Sequence, residues 1–273
     1  MTPALLTAAA IGFACSLLSL LVILRRWALV GEGISHSAIA GAGAAWLGAL
    51  LVPALDEPVA QYACAVAFCL VAAVAIGWLA RRERVNVDAA LGIFLVASLA
   101  FGFLAAHVYR TVRGHAPPAF DLLLIGTGLI REATPLLAAT AASACAGVVL
   151  VVVMLRRELL AYGFDPVMAR VQGVRVGAVH YLALVLVAIV VVVGMRVAGS
   201  VLVPALLVLP GATALRVSDR LGTTVLVSLA VGTAGAVGGV LVAGAWPIIP
   251  EGPAIVLLLL TAFVLTLPFG GKR

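Results

Sequence analysis

The sequence predicts an all-α, polytopic transmembrane helical bundle of about nine spans, with kinked or broken helices among them. Three observations carry this. Of the 273 residues 64% are hydrophobic and only 10% charged, and the mean hydropathy is +1.26, which excludes an ordinary soluble domain with its roughly 25% of charged residues. Apolar stretches long enough to cross a bilayer, about 20 residues each, recur along the chain. The net charge of +6 is confined to short clusters between those stretches, as in membrane-protein loops, and gives no reason to assign a nucleic-acid partner.

Ala4–Leu24 is uncharged and stops at Arg25-Arg26. It lacks a basic leader and a small-residue cleavage site, so it reads as a retained span. Ile34–Leu55 is the second apolar segment and closes in the polar turn Pro53 to Pro58. Val59–Ala80 ends at Arg81-Arg82-Glu83-Arg84, and Ala89–Val108 follows Asp88, whose carboxylate suits a helix N-cap. Arg110, Arg113, His115 and Pro117-Pro118 predict a loop, after which Phe120–Ile130 predicts a partly inserted or interfacial helix too short to span. Ala133–Leu155 ends at Arg156-Arg157 and is followed by the polar connection Glu158–Val176. Gly177–Gly194 and Val197–Leu215 are the next two spans, the second kinked or divided by Pro204 and Pro210. Leu221–Ala245 is rich in glycine, which suits close helix packing, and Pro253–Phe269 closes the chain before Lys272-Arg273. Cys15, Cys64, Cys69 and Cys145 all lie within apolar segments, without Cys-x-x-Cys spacing, and read as small core hydrophobes.

Nine spans with the N-terminus outside and the C-terminus cytoplasmic put 13 of the 17 basic residues inside and leave Arg110, Arg113, Arg131 and Arg196 outside. The positive-inside rule prefers this orientation to its inverse.

One stretch breaks the apolar pattern. In Gly31-Glu32-Gly33-Ile34-Ser35-His36-Ser37 a carboxylate and an imidazole stand four residues apart, on one face of a helix. Both are metal-ligand types. Charged groups within the hydrocarbon cost about 2.5 to 3.5 kcal/mol on insertion scales, so such a pair needs a partner, a cavity or a role. Ala40 and Ala44 continue the same face, and Gly33, Ser37, Gly41 and Ala45 form a small-residue stripe beside it. Gly31 and Gly33 permit a broken or re-entrant start over Leu29–Ser35 that would carry the pair into the protein. In the plainer reading Glu32 sits among headgroups and His36 bonds a carbonyl.

In the connection, Asp165-Pro166 is an N-cap followed by the residue favoured at the first helical turn, and Gly173 is a stop. They predict a short helix, Pro166–Gln172, on the cytoplasmic face, with Val167, Met168 and Val171 available to a partner's groove.

Four blocks in order resemble metal-ion ABC transporter permeases: Arg26 to Ser37, Asp88 to Ile93, Gly163 to Arg170 with Gly173, and Leu202 to Ala214. The resemblance runs from about Arg25 to the end of the chain. It implies one permease domain over residues 1–273, in a bacterial plasma membrane, that imports manganese, zinc or iron(II). It further implies a permease homodimer, two cytoplasmic ATPase subunits and an external metal-binding lipoprotein that delivers the ion. The segment 164–173 would then be the coupling helix, with Phe164, Asp165, Pro166, Ala169, Arg170 and Gly173 at the ATPase. Glu32 and His36 would line the metal path, Glu32 standing where the family usually has Asp. No permanently bound cofactor is expected. The chain is expected to be a transport subunit and not an enzyme, because it contains no Walker-type phosphate loop. A carboxylate with an imidazole suits manganese, iron(II) or zinc, and Arg110 and Arg113 are expected to meet acidic groups of the delivery protein. The alternatives are an ABC permease for a siderophore or corrinoid, a proton-coupled secondary transporter with Glu32 as carrier, and a membrane anchor without transport.

Overall fold

The computed structural model describes residues 2–81, 87–117, 134–246 and 248–270. The expected interfacial helix Phe120–Ile130 lies outside them, as does the side chain of Asp88. Among the described residues all regular structure is helical: α1 Thr2–Leu24, α2 Val30–Ala49, α3 Pro58–Arg81, α4 Val87–Arg113, α5 Pro135–Met154, α6 Arg156–Phe164, α7 Pro166–Val171, α8 Val176–Val217, α9 Leu221–Ala245 and α10 Glu251–Thr266, with 3-10 turns at Pro53–Asp56 and Leu267–Gly270.

By length and apolarity five described helical segments qualify as membrane crossings, or six if the pair Ala138–Met154 and Arg156–Phe164, bent by 74°, counts as one. That is fewer than the nine the sequence predicts. Leu202–Val217 and Glu251–Thr266 are apolar but short, and α2 carries Glu32, His36, Ser35, Ser37 and Trp46 among its glycines. The reason for α2's composition is its place in the bundle. It packs on α3, α4 and α8, so its surface meets protein instead of lipid.

Two packed groups meet at α8. On one side α1 lies against α5, α8 and α9, with α10 behind α8 and α9; on the other, α2 lies against α3 and α4. Small residues bring the axes close. A Cβ on Gly41 would stand 2.6 Å from Cys64 O, one on Gly12 2.7 Å from Ala236 Cβ, and one on Gly239 would strike Ile255. The small-residue stripe of α2 therefore packs within this chain, against α3 and α4.

Two expectations need correction. Tyr109, Arg110 and Arg113 belong to the last turns of α4 and not to a loop; the helix runs on until Gly114, whose φ of +79° ends it. The start of α2 is not broken. Gly31 and Gly33 are helical, and Gly33 N donates to Leu29 O at 3.0 Å. In both places helix continuity satisfies backbone groups that a break would leave unpaired within the bundle.

The two expected spans Gly177–Gly194 and Val197–Leu215 form a single helical element in α8, but not a straight one. A Cβ on Gly194 would lie 2.7 Å from Val203 Cγ2, whereas nine residues of straight helix would separate those levels by roughly 13 Å. The chain therefore doubles back between them, as two antiparallel legs.

Candidate metal-ligand pair and coupling segment

Glu32 falls in the first turn of α2 and His36 in the next, and their side chains meet: His36 Nε2 lies 2.9 Å from Glu32 Oε1. His36 is 16% exposed and Glu32 37%, while Gly31, Gly33, Ile34, Ser35 and Ser37 around them are buried. The pair thus occupies the open stripe of an otherwise enclosed helix. Ala40 below it is buried and Ala44 half-buried, leaving little side-chain bulk along that line.

The helix turn that carries the pair packs against α8. Gly31 abuts Pro204 and Leu207, and the neighbouring Val208 carbonyl faces Ser19 Oγ on α1. Ser19 stands five residues before the end of α1, roughly 7 Å along its axis. Local hydroxyls are tied to the helix: Ser35 Oγ donates to Glu32 O at 2.9 Å and Ser37 Oγ to Gly33 O at 2.8 Å. His36 Nδ1 is buried and has no hydrogen-bond partner, so Nε2 and the Glu32 carboxylate are the donor atoms presented. Among the described residues no cluster of three or more His, Cys, Asp or Glu is assembled, so one chain supplies two such ligands here.

The predicted short helix is α7. Asp165 Oδ1 accepts from Val167 N at 2.8 Å and Met168 N at 3.1 Å, and Pro166 opens the helix. At the other end Gly173, with φ of +85°, donates to Arg170 O while Val174 N donates to Ala169 O, the paired bonds of a Schellman close. Ala169 is buried, whereas Phe164, Val167, Met168 and Val171 are 59–79% exposed, and Arg170 is also exposed. The result is an apolar knob on the outside of the bundle. The polar connection also contains α6, which the sequence reading missed; Leu159, Tyr162 and Gly163 bury its inner face against the end of α1 and the start of α8.

Arg110 and Arg113 are both exposed at the end of α4, and Arg113 also has a structural contact, Nη2 donating to Ala49 O at 3.0 Å. Beside it Tyr109 O–H donates to Asp56 Oδ1 at 2.8 Å, and Gln61 joins Trp46 Nε1 to Asp56 O. This end of α2 is about 20 Å along the helix from His36. Glu32 and His36 therefore come together, the α7 residues come together, and the two arginines form a third, separate locality.

Sequence reasoning also missed an aromatic cluster near the α7 end, in which Trp27, Tyr162 and His180 are buried and Tyr181 is half-buried. Its signal was available: His180 is an ionisable residue in an apolar span.

Comparison with known proteins agrees with this architecture. The manganese transport system membrane protein MntC of Halalkalibacterium halodurans is 31% identical over 272 residues, covering 99% of this chain and 87% of that protein. The chelated iron transport system membrane protein YfeD of Yersinia pestis is 32% identical over 273 residues, covering 98% and 84%. PsaBC from Streptococcus pneumoniae, solved in complex with Fab, superposes with a TM-score of 0.77 at 26% identity, over 97% of this chain and 90% of that one. The model of the ABC 3 transport family matches residues 1–270, and this chain, a multi-pass membrane protein, belongs to that family.

Proposed function

We propose that this chain is the membrane-spanning permease subunit of an ATP-driven importer for a divalent transition metal, manganese, iron(II) or zinc. The observation that carries the reading is the Glu32–His36 pair, 2.9 Å apart on the open stripe of α2. A carboxylate oxygen with an imidazole nitrogen is a donor set for these ions. The relatives named for manganese and chelated iron transport support that cargo.

Two copies of the pair meeting across a homodimer would give four ligands. A ligating histidine usually donates its other N–H to an acceptor, and loss of such a partner weakens metal affinity by about 10- to 100-fold. His36 Nδ1 has no partner, which suits an ion in passage over one held in place. The exposed apolar face of α7 would seat in a cytoplasmic ATPase, one for each permease copy, with the N-terminus outside, and Arg110 would meet the delivery lipoprotein. The coupling segment favours this reading over a self-sufficient proton-coupled transporter.

The test is uptake of manganese, iron(II) and zinc by the reconstituted complex. Glu32→Ala with His36→Ala should abolish uptake while the complex still assembles. Undiminished uptake by the double variant would remove the pair from the mechanism.

A further inference from the structure

We propose that Trp27, Tyr162 and His180 form a rigid joint that ties the α7 segment to the first turn of α2; this rests on the functional reading above. The three side chains come from the α1–α2 connection, α6 and α8, and all are buried, at 2%, 1% and 8% exposure. Trp27 lies edge-on to His180 at 5.3 Å between ring centres and tilted against Tyr162 at 6.2 Å. His180 Nε2 faces Gly77 O at 3.2 Å, and because a carbonyl only accepts, Nε2 carries the proton. Nδ1 is then the acceptor for Tyr162 O–H at 2.7 Å, so one ring fixes α3, α6 and α8 together. Gly77 makes room for this, since a Cβ there would strike Leu184 and crowd His180 Nε2.

The connections on either side of the joint are short. Asp165 alone separates α6 from α7, and two residues separate Trp27 from the start of α2. Gly163 lies against Leu21 and Leu24, and the Arg25 guanidinium sits 4.5 Å above the Tyr162 ring. Trp27 N donates back to Val22 O at 2.8 Å, while Arg26 is held at φ 56°, a left-handed conformation that persists only where the surroundings enforce it. A displacement of α7 therefore reaches Glu32 through packed aromatic rings and not through a flexible loop.

The readout is metal taken up per ATP hydrolysed by the complete transporter in proteoliposomes. Trp27→Ala should lower that ratio by about tenfold, within the 5- to 150-fold range of typical coupling, while hydrolysis continues. Trp27→Phe should restore most of it, and Tyr162→Phe should lower it severalfold. An unchanged ratio in Trp27→Ala, or in Tyr162→Phe should the alanine variant not assemble, overturns the proposal. A second measurement is independent of the cargo. Spin labels at the exposed positions 29 and 157, in a Cys64→Ala background, should keep one separation with and without ATP and vanadate. A nucleotide-dependent change in that separation in the otherwise native chain overturns the joint, whereas absence of uptake by the native transporter overturns only the cargo assignment.

Discussion

Ser19 on α1 accepts a hydrogen bond from Gly211 N on α8 at 2.9 Å, and its hydroxyl points to Val208 O at 3.4 Å. The contact lies beside Pro210, which has no amide for Leu206 O, and it ties α1 to α8 on both sides of that proline, at Val208 and Gly211. Ser19→Ala should cost about 1 kcal/mol, near the measured range for interhelical bonds in membranes. Gly211→Ala should cost more, because its Cβ would sit 2.7 Å from Ser19 Oγ and 2.9 Å from Ile23 Cδ1. Unfolding of the purified chain in mixed micelles measures both.

Gly41 is expected to be the least tolerant glycine of α2. Its Cβ would meet backbone atoms of α3, Cys64 O at 2.6 Å and Ala65 Cα at 2.7 Å, and backbone does not yield as a side-chain tip does. Gly41→Ala should destabilise by about 1 to 3 kcal/mol, the usual range for overpacking. Gly147→Ala, in α5 with open space around it, is the matched control and should leave the melting temperature unchanged or higher.

Charge and reach at position 32 separate two roles of the carboxylate. Glu32→Gln keeps a hydrogen-bond acceptor for His36 but loses the anion, and uptake should fall about tenfold or more, since a neutral amide is a poor ligand for these ions. Glu32→Asp keeps the charge on a shorter arm and should retain transport with an altered ratio of manganese to zinc. Competition uptake assays with both ions decide it; equal behaviour of the two variants would count against ligation.

Asp165→Ala removes the acceptor for two amides at the start of a six-residue helix. Cap loss costs about 0.5 to 2 kcal/mol, which a helix this short has little means to offset. The variant should bind the ATPase several-fold more weakly in a titration of purified subunits, with the bundle's melting temperature unchanged.

At the opposite end the two arginines should behave differently. Arg110→Glu should slow association of the delivery protein at low salt without affecting stability. Arg113→Glu should do both, because Arg113 Nη2 also bonds the Ala49 carbonyl at the end of α2. Stopped-flow association over a salt series, beside thermal melts, distinguishes them.

Much of this was readable in the residues. Leu221–Ala245 has the bounds expected from hydropathy, and the Asp165-Pro166 start and Gly173 stop of α7 follow from local chemistry. The facing of Glu32 and His36 follows from spacing of four on a helix. Hydropathy misjudged α2, whose first turn it placed outside the helix, because small and polar residues at a protein-enclosed surface carry no lipid signal. It also missed that α4 continues to Arg113, where charged residues at a helix end look like a loop.

The sequence by itself determined the class of the molecule, the position of most helices, the facing of Glu32 and His36 and the capped short helix α7, since each depends on composition or on neighbours within a turn. Only the tertiary structure decided that Gly194 packs on Val203 where α8 doubles back, that Ser19 serves Gly211, and that Trp27 meets Tyr162 and His180. Those contacts join residues far apart in the chain, and which distant surfaces bury one another is set by shape and pairing across the whole bundle.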